Sequence, residues 1–176
     1  GQTEQKEYVY VPEYLELDDN TNSSYSNMTV QGDKLYYTNY QWDEASGESK
    51  VVLGAYSLTD GSREDLPITI NADGGGIYSM QADAEGNIYT AEFEWNATEG
   101  DDAYTQQTTV LHKYDASGTE LMAQDITDIM QQDENNSYVG SMCLDDQGRF
   151  YISSDSLIRL FGSDGQFQGA VQTDSQ

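Results

Sequence analysis

Residues 79–89 read SMQADAEGNIY, and residues 141–151 read SMCLDDQGRFY. Serine, methionine, aspartate, glycine and tyrosine stand at the same places in both stretches. A third stretch, residues 27–36, reads NMTVQGDKLY and keeps the methionine and the tyrosine around a turn that is one residue shorter. In each, a polar turn with a glycine separates two runs that alternate apolar and polar residues, which predicts a β-hairpin. Threefold repetition of one hairpin predicts a repeat-built fold.

Two more strands follow each hairpin, because apolar runs flank further turns with Asp-Gly or Ser-Gly pairs at 60–61, 117–118 and 164–165. Four strands in a unit of this size are typical of a propeller blade. The sequence therefore predicts an all-β, β-propeller-like fold. Its three four-stranded blades are expected at about residues 25–72, 76–127 and 137–173. Residues 1–24 are predicted to be an N-terminal segment with one strand, and residues 126–132 a short helical linker.

Three blades do not close a ring, so the outer faces of the first and third blades need cover. Apolar residues such as Ile68, Ile70, Phe150 and Phe167 are expected on those faces. A homodimer would supply the cover, and so would further blades that complete the ring.

The phrases DAEGNIY (83–89) and LHKYDASG (111–118) resemble the blades of bacterial secreted propellers of the NHL-like type. The resemblance implies the fold, and it carries no active site with it. The opening EYVYVPEYLEL (7–17) resembles the start of mature lipoproteins of Gram-positive bacteria. This second resemblance implies an extracytoplasmic protein, either secreted or held at the cell surface, whose membrane contact runs through a lipid anchor.

Composition excludes several partners. The chain has 7 Lys and Arg against 32 Asp and Glu, a formal charge of −25. This charge repels nucleic-acid phosphates and anionic lipid surfaces. The apolar runs fall far short of the roughly 20 residues that span a bilayer.

Cys143 is the single cysteine and stands within a predicted strand, which favours a buried structural thiol over a reactive one.

Two tryptophans occupy matching places, each six residues after the tyrosine of its hairpin. Both precede acidic loops, which gives the candidate ligand-binding residues Trp42, Asp43, Glu44, Trp95, Asn96 and Glu99. An indole beside carboxylates and amides suits a sugar ring, whose apolar face stacks on the aromatic side chain. A cationic ligand suits it equally. The alternative is that both indoles close hydrophobic layers at strand ends. Equivalent loops of successive blades should place both on one side of the molecule.

A weak calcium pattern lies near the N-terminus, where Asp18, Asn20 and Asn22 present oxygen atoms at alternate positions. The stretch lacks the glycine and glutamate of a calcium loop, so a polar linker is the competing interpretation. We expect no other cofactor. His112 is the sole histidine and stands on a predicted strand, where a structural or solvent-exposed role is expected. No catalytic residue is assigned.

Three functions follow from these patterns. The leading one is an extracytoplasmic binding or scaffolding module that recognises a glycan, a small molecule or a protein through its blade loops. A second is the N-terminal part of a larger secreted enzyme or solute-binding lipoprotein whose active site lies elsewhere. A third is a calcium-stabilised structural domain.

Overall fold

The computed structural model describes residues 23–95 and 107–173. Within them, twelve strands form three antiparallel sheets, and each sheet keeps its four strands in chain order. The first blade consists of β1 (Ser23–Gln31), β2 (Lys34–Trp42), β3 (Ser49–Ser57) and β4 (Arg63–Asn71). The second consists of β5 (Gly75–Ala82), β6 (Ile88–Trp95), β7 (Gln107–Tyr114) and β8 (Glu120–Asp125). The third consists of β9 (Ser141–Leu144), β10 (Phe150–Ser153), β11 (Leu157–Phe161) and β12 (Phe167–Gln172).

The blades stack in chain order through their first strands, since β1 lies against β5 and β5 lies against β9. This arrangement, with the first strand of each sheet on the inside, is that of propeller blades around an axis. The predicted all-β, propeller-like fold with three four-stranded blades is confirmed. The strand predicted in residues 1–24 lies outside the described residues.

Hydrophobic packing between the blades holds the stack together. Neighbouring residues of a strand point to opposite faces of its sheet. Ile88 therefore joins a buried cluster with Leu53 of the first blade, while Tyr89 joins a second cluster with Phe150 of the third. Each face of the middle blade is thus covered by a neighbour, and the cores lie between sheets.

The prediction that four apolar residues lie on the outer faces was wrong for three of them. Ile68, Ile70 and Phe150 are buried, and Phe167 is exposed. The two isoleucines point from β4 toward the second blade, and Phe150 points from β10 back toward it. The alternation shows which residues share a face but leaves open which face meets a neighbour.

Met28 is not equivalent to the other two repeat methionines. It is 62% exposed, whereas Met80 and Met142 are buried. The register of β1 against β2 shifts between Ser26 and Thr29. Asn27 takes a φ of 49° at this bulge, which re-aims the side chain that follows it. The tyrosines do correspond, because Tyr36, Tyr89 and Tyr151 pair with Thr29, Gln81 and Cys143 in their blades.

Cys143 is exposed, so its assignment as a buried thiol was wrong. Met142 points from β9 into the core between the second and third blades. Its neighbour Cys143 must therefore point to the other face of the sheet, where the described residues provide no further blade.

The predicted linker helix is present as α1 (Thr127–Gln131), and a 3-10 turn (Glu134–Asn136) follows it. Met130 of α1 is buried in the core between the second and third blades. In the described ranges, no helix has the length and apolarity needed to cross a membrane.

Candidate functional site

The loop after Trp42 is held by Asp43. The Asp43 carboxylate accepts hydrogen bonds from the backbone N–H groups of Ala45 (2.8 Å) and Ser46 (3.4 Å). The Gly47 N–H also donates to the Asp43 carbonyl oxygen. Donation by the Ala45 and Ser46 amides lowers the pKa of the Asp43 carboxyl. The loop therefore carries a negative charge on the residue that follows Trp42.

A second segment completes the site. The linker between the first and second blades brings Asp73 to the start of β3, where its carboxylate accepts a hydrogen bond from the Ser49 N–H at 2.8 Å. Ser49 pairs with Trp42 across the strands. The Asn71 side chain in turn accepts a hydrogen bond from the Asp73 N–H at 2.9 Å. Two segments that lie 24 residues apart in the sequence thus form one wall.

The result is a cavity of about 830 Å³ beside Trp42. Its lining includes three of the predicted ligand-binding residues, Trp42, Asp43 and Glu44, together with Lys50 and Asp73. Glu48 and Asn71 also line it. Carboxylates outnumber the ammonium group in the described lining, so the cavity repels anions and accepts hydroxylated or cationic groups.

Both tryptophans present indole surface to solvent. Trp42 is 45% exposed and Trp95 is 43% exposed. Trp95 packs edge-on against Phe93 with 6.3 Å between ring centroids. Exposure of nearly half of each residue disagrees with the alternative that the two indoles close hydrophobic layers.

The two strand ends that carry the tryptophans lie on the same side of the molecule. The backbone N–H of Trp95 donates to the Gly74 carbonyl oxygen at 2.7 Å, and Asp73 holds the strand end opposite Trp42. Neighbouring residues of one linker therefore contact both tryptophan-bearing strand ends. Trp95 is not part of the lining of the Trp42 cavity. The predicted ligand residues Asn96 and Glu99 and the calcium candidates Asp18, Asn20 and Asn22 lie outside the described residues.

A second cavity, of about 700 Å³, lies where the hairpin turns of the three blades converge. Asp83 and Asp145 line it, but both carboxylates serve the turns themselves. Asp83 accepts hydrogen bonds from the Asn87 N–H (2.9 Å) and the Tyr89 hydroxyl (3.0 Å). Asp145 accepts from the Arg149 N–H (3.0 Å) in the same way. Tyr89, which is buried, is the only aromatic residue in the described lining of this cavity, so the Trp42 cavity with its exposed indole is the better ligand site.

His112 lies on β7 between two carboxylates. Its Nδ1 is 2.7 Å from Glu120 Oε1, its Nε2 is 3.5 Å from Glu92 Oε2, and its ring stacks on Tyr114. The Tyr114 hydroxyl donates to Glu92 at 2.9 Å. Burial and the neighbouring Glu92 raise the pKa of Tyr114 well above its usual range. Within 23–95 and 107–173, no group of three or more His, Cys, Asp or Glu residues is placed to hold a metal ion.

No protein-family model and no curated protein sequence matches the chain. Similar solved structures do exist. The β-propeller domain of the trilobed protease from Pyrococcus furiosus, described as having an open velcro topology, aligns with a TM-score of 0.50 at 8% identity. That alignment covers 86% of this chain and 43% of the other.

Two further structures are similar at lower scores. A protein of unknown function from Bacteroides caccae aligns with a TM-score of 0.46 at 13% identity, over 86% of this chain and 58% of that one. An acylaminoacyl peptidase aligns with a TM-score of 0.45 at 10% identity, over 83% of this chain and 32% of that one. The chain thus spans less than two thirds of the length of each of these structures. Likeness to the Pyrococcus furiosus domain at this identity establishes the propeller fold alone.

Proposed function

We propose that the chain is a binding module that recognises a glycan through the Trp42 cavity. The observation that carries this proposal is the convergence of an exposed indole with the carboxylates of Asp43 and Asp73 at one concave surface. A sugar ring offers an apolar face for the indole and hydroxyl groups for the acids. The loop is prearranged by the Asp43 turn, which reduces the entropy that binding would otherwise cost.

A glycan array with the whole chain tests this proposal first, and titration of the best glycan with intrinsic tryptophan fluorescence follows. Loss of stacking and buried apolar contact in Trp42→Ala should weaken binding at least about tenfold. Trp42→Phe keeps an aromatic face and should retain part of the affinity. Tyr138→Ala removes a comparably exposed aromatic residue that is not in the cavity lining, and it should bind like the unmodified chain.

Absence of glycan binding on the array, or binding that survives Trp42→Ala, would contradict the proposal. A cationic ligand is the second candidate, because an indole beside an excess of carboxylates also attracts ammonium groups. Tetramethylammonium serves as the probe. Fluorescence changes with tetramethylammonium but with no neutral glycan would replace the first ligand class by the second.

We also propose that the module works outside the cytoplasm, as a secreted or lipid-anchored protein of the NHL-like propeller type. The blade phrases at residues 83–89 and 111–118 and the opening residues 7–17 support this. Fractionation of cells that express the natural gene provides the test. Recovery of the protein from the cytoplasm would be evidence against it. The natural reading frame also tests the competing proposal that the chain belongs to a larger secreted enzyme or solute-binding lipoprotein.

A further inference from the structure

The contacts between neighbouring blades repeat at two places. The turn glycine of each following hairpin lies against the tyrosine hydroxyl of the blade before it. A Cβ built on Gly86 would lie 3.8 Å from the Tyr36 hydroxyl oxygen, and one built on Gly148 would lie 3.0 Å from that of Tyr89. A glycine near the outer strands also lies close to the preceding blade. A Cβ built on Gly165 of the third blade would lie 2.5 Å from Cβ of Gln124 in the second.

Hydrogen bonds repeat along the inner strands in the same direction. The Thr29 hydroxyl donates to Gln81 of the second blade at 3.1 Å. The Gln81 side chain donates to the Met142 carbonyl oxygen of the third at 3.0 Å. Cys143 occupies the place in the third blade that Thr29 and Gln81 occupy in theirs. We call the face of a blade that points toward the following blade its forward face. The forward face of every blade therefore carries the same set of positions for contact with a following blade.

Among residues 23–95 and 107–173, a following blade covers this face in the first two blades but not in the third. Leu53 and Leu111 are fully buried at equivalent positions. Leu53 and Leu111 each pair with the residue two places after the tyrosine of their blade. Ile158 holds the same place in the third blade, because it pairs with Ser153, two residues after Tyr151. It is only half-buried. Val171, its partner on β12, is 65% exposed. Exposed apolar side chains on a sheet face favour an interaction surface.

We propose that the forward face of the third blade, formed by Cys143, Tyr151, Ile158, Leu160 and Val171, binds a further four-stranded blade. Continuity with the two existing interfaces defines its chemistry. The hairpin of the incoming blade presents a turn glycine to the Tyr151 hydroxyl. It places a methionine on its first strand and an isoleucine or phenylalanine before the tyrosine of its second, as Met142 and Phe150 do against the second blade.

A second copy of this chain fits less well as the occupant. Head-to-tail association would bring the outer face of its first blade, with Tyr37 and Val52, against the third blade. Both residues are already buried in the single chain, so they have little surface left to cover the face. The inference is separate from the ligand proposal, because the Trp42 cavity is built by the first blade and the linker that follows it.

The thiol of Cys143 reports occupancy of this face, since it is exposed and no other cysteine is present. Its rate of alkylation by N-ethylmaleimide is compared in three proteins. The first is the chain itself. The second carries a repeat of residues 126–173 after Thr173, with Cys143→Ser in the added copy. The third is the same extension with Phe150→Asp also in the added copy, which places a charge in the new interface.

Docking should slow alkylation of Cys143 at least about tenfold in the second protein and leave it fast in the first and third. Equal rates in all three would overturn the proposal. An added segment that shows no hydrogen-exchange protection would overturn it too, because a blade gains its stability from such a face. Protection of Cys143 in the unextended chain that rises with protein concentration would assign the face to a second copy instead.

Discussion

The side-chain amide of Gln81 donates a hydrogen bond to the carbonyl oxygen of Met142 over 3.0 Å, and its own carbonyl oxygen accepts one from Thr29 at 3.1 Å. One side chain of the middle blade therefore connects the first strands of all three. These strands are the inner edges of their sheets, where backbone groups have no neighbouring strand within the blade. Gln81 supplies part of the pairing that the edge lacks.

Replacement of Gln81 by methionine keeps the length of the side chain and removes both hydrogen bonds. The Met142 carbonyl oxygen loses its side-chain donor, so we expect the free energy of unfolding to fall by about 1 to 2 kcal/mol. Urea denaturation followed by circular dichroism measures the change. Thr29→Val removes only the bond from the first blade and should cost less. An effect of Thr29→Val equal to or larger than that of Gln81→Met would place the main connection elsewhere.

The hairpin turns predict a dependence of stability on pH. Burial alone would raise the pKa of Asp83, but hydrogen bonds from Asn87, Tyr89 and the Glu85 amide outweigh it and hold that pKa below its usual value. The unfolded chain, with an Asp pKa of about 3.9, thus takes up the proton first as the pH falls. The stabilisation by Asp83 is complete above about pH 4 and is lost as the pH falls through the folded pKa.

Asp83→Asn isolates this contribution from the many other acids. We expect the variant to be less stable than the unmodified chain by on the order of 1 kcal/mol at neutral pH. The difference should shrink as the pH falls below about 4, where the unfolded carboxyl takes up its proton, and should be smallest below the folded pKa, where the native carboxyl has lost its charge as well. Asp146→Asn is the control, since Asp146 accepts none of the turn hydrogen bonds. A difference for Asp83→Asn that stays constant down to low pH would show that charge is not the cause.

The repeat explains how far the fold can be predicted from the sequence. Glycine turns at fixed distances from Tyr89 and Tyr151 mark the hairpins, because a positive φ is needed there and the structure has it at Gly86 and Gly148. The position of Trp42 at the end of its strand follows from the same spacing. Local chemistry of this kind can be read directly from neighbouring residues, and it predicts the fold class correctly.

Other features depend on contacts that no local pattern contains. Asp73 reaches the Trp42 site because the linker folds back onto β3, and the only sequence signal is a polar, glycine-containing run after Asn71. The exposure of Met28 follows from a bulge that inserts one extra residue without changing the apolar pattern. The burial of Ile68 follows from which face of the first sheet meets the second blade. Each is decided by packing between blades.

Arg159 predicts a further energetic result. It is buried, and its guanidinium donates to the carbonyl oxygens of Asn136 at 2.6 Å and Met130 at 3.3 Å. Burial lowers its pKa, and the negative charge of Asp133 opposes this shift. The side chain thus joins β11 to the linker between the second and third blades.

Arg159→Met should lower the free energy of unfolding by about 2 to 4 kcal/mol, because two carbonyl groups lose their donor inside the protein. Arg159→Lys should recover little, since one ammonium group lacks the planar fork that reaches both acceptors. Arg63→Met changes an exposed arginine of β4 and is the matched control, with an expected effect near zero. Thermal unfolding of the three variants distinguishes these outcomes. Equal stability of Arg159→Met and Arg63→Met would mean that the buried hydrogen bonds contribute nothing net.

Gly118 tests the contact between the first and second blades. Its φ is +83°, and a Cβ there would collide with the backbone oxygen of Pro67 on β4 of the preceding blade. Gly32 has a similar φ of +61°, and a Cβ there would meet no atom within 4 Å.

Alanine at either site costs about 1 kcal/mol for the left-handed backbone. Gly118→Ala must in addition push two blades apart, because a backbone oxygen cannot turn away as a side chain can. We therefore expect Gly118→Ala to lower the free energy of unfolding by about 3 kcal/mol or more, and Gly32→Ala by only the backbone contribution. Denaturant unfolding of both variants measures the difference, and equal losses would mean that the second blade does not press against Pro67 in solution.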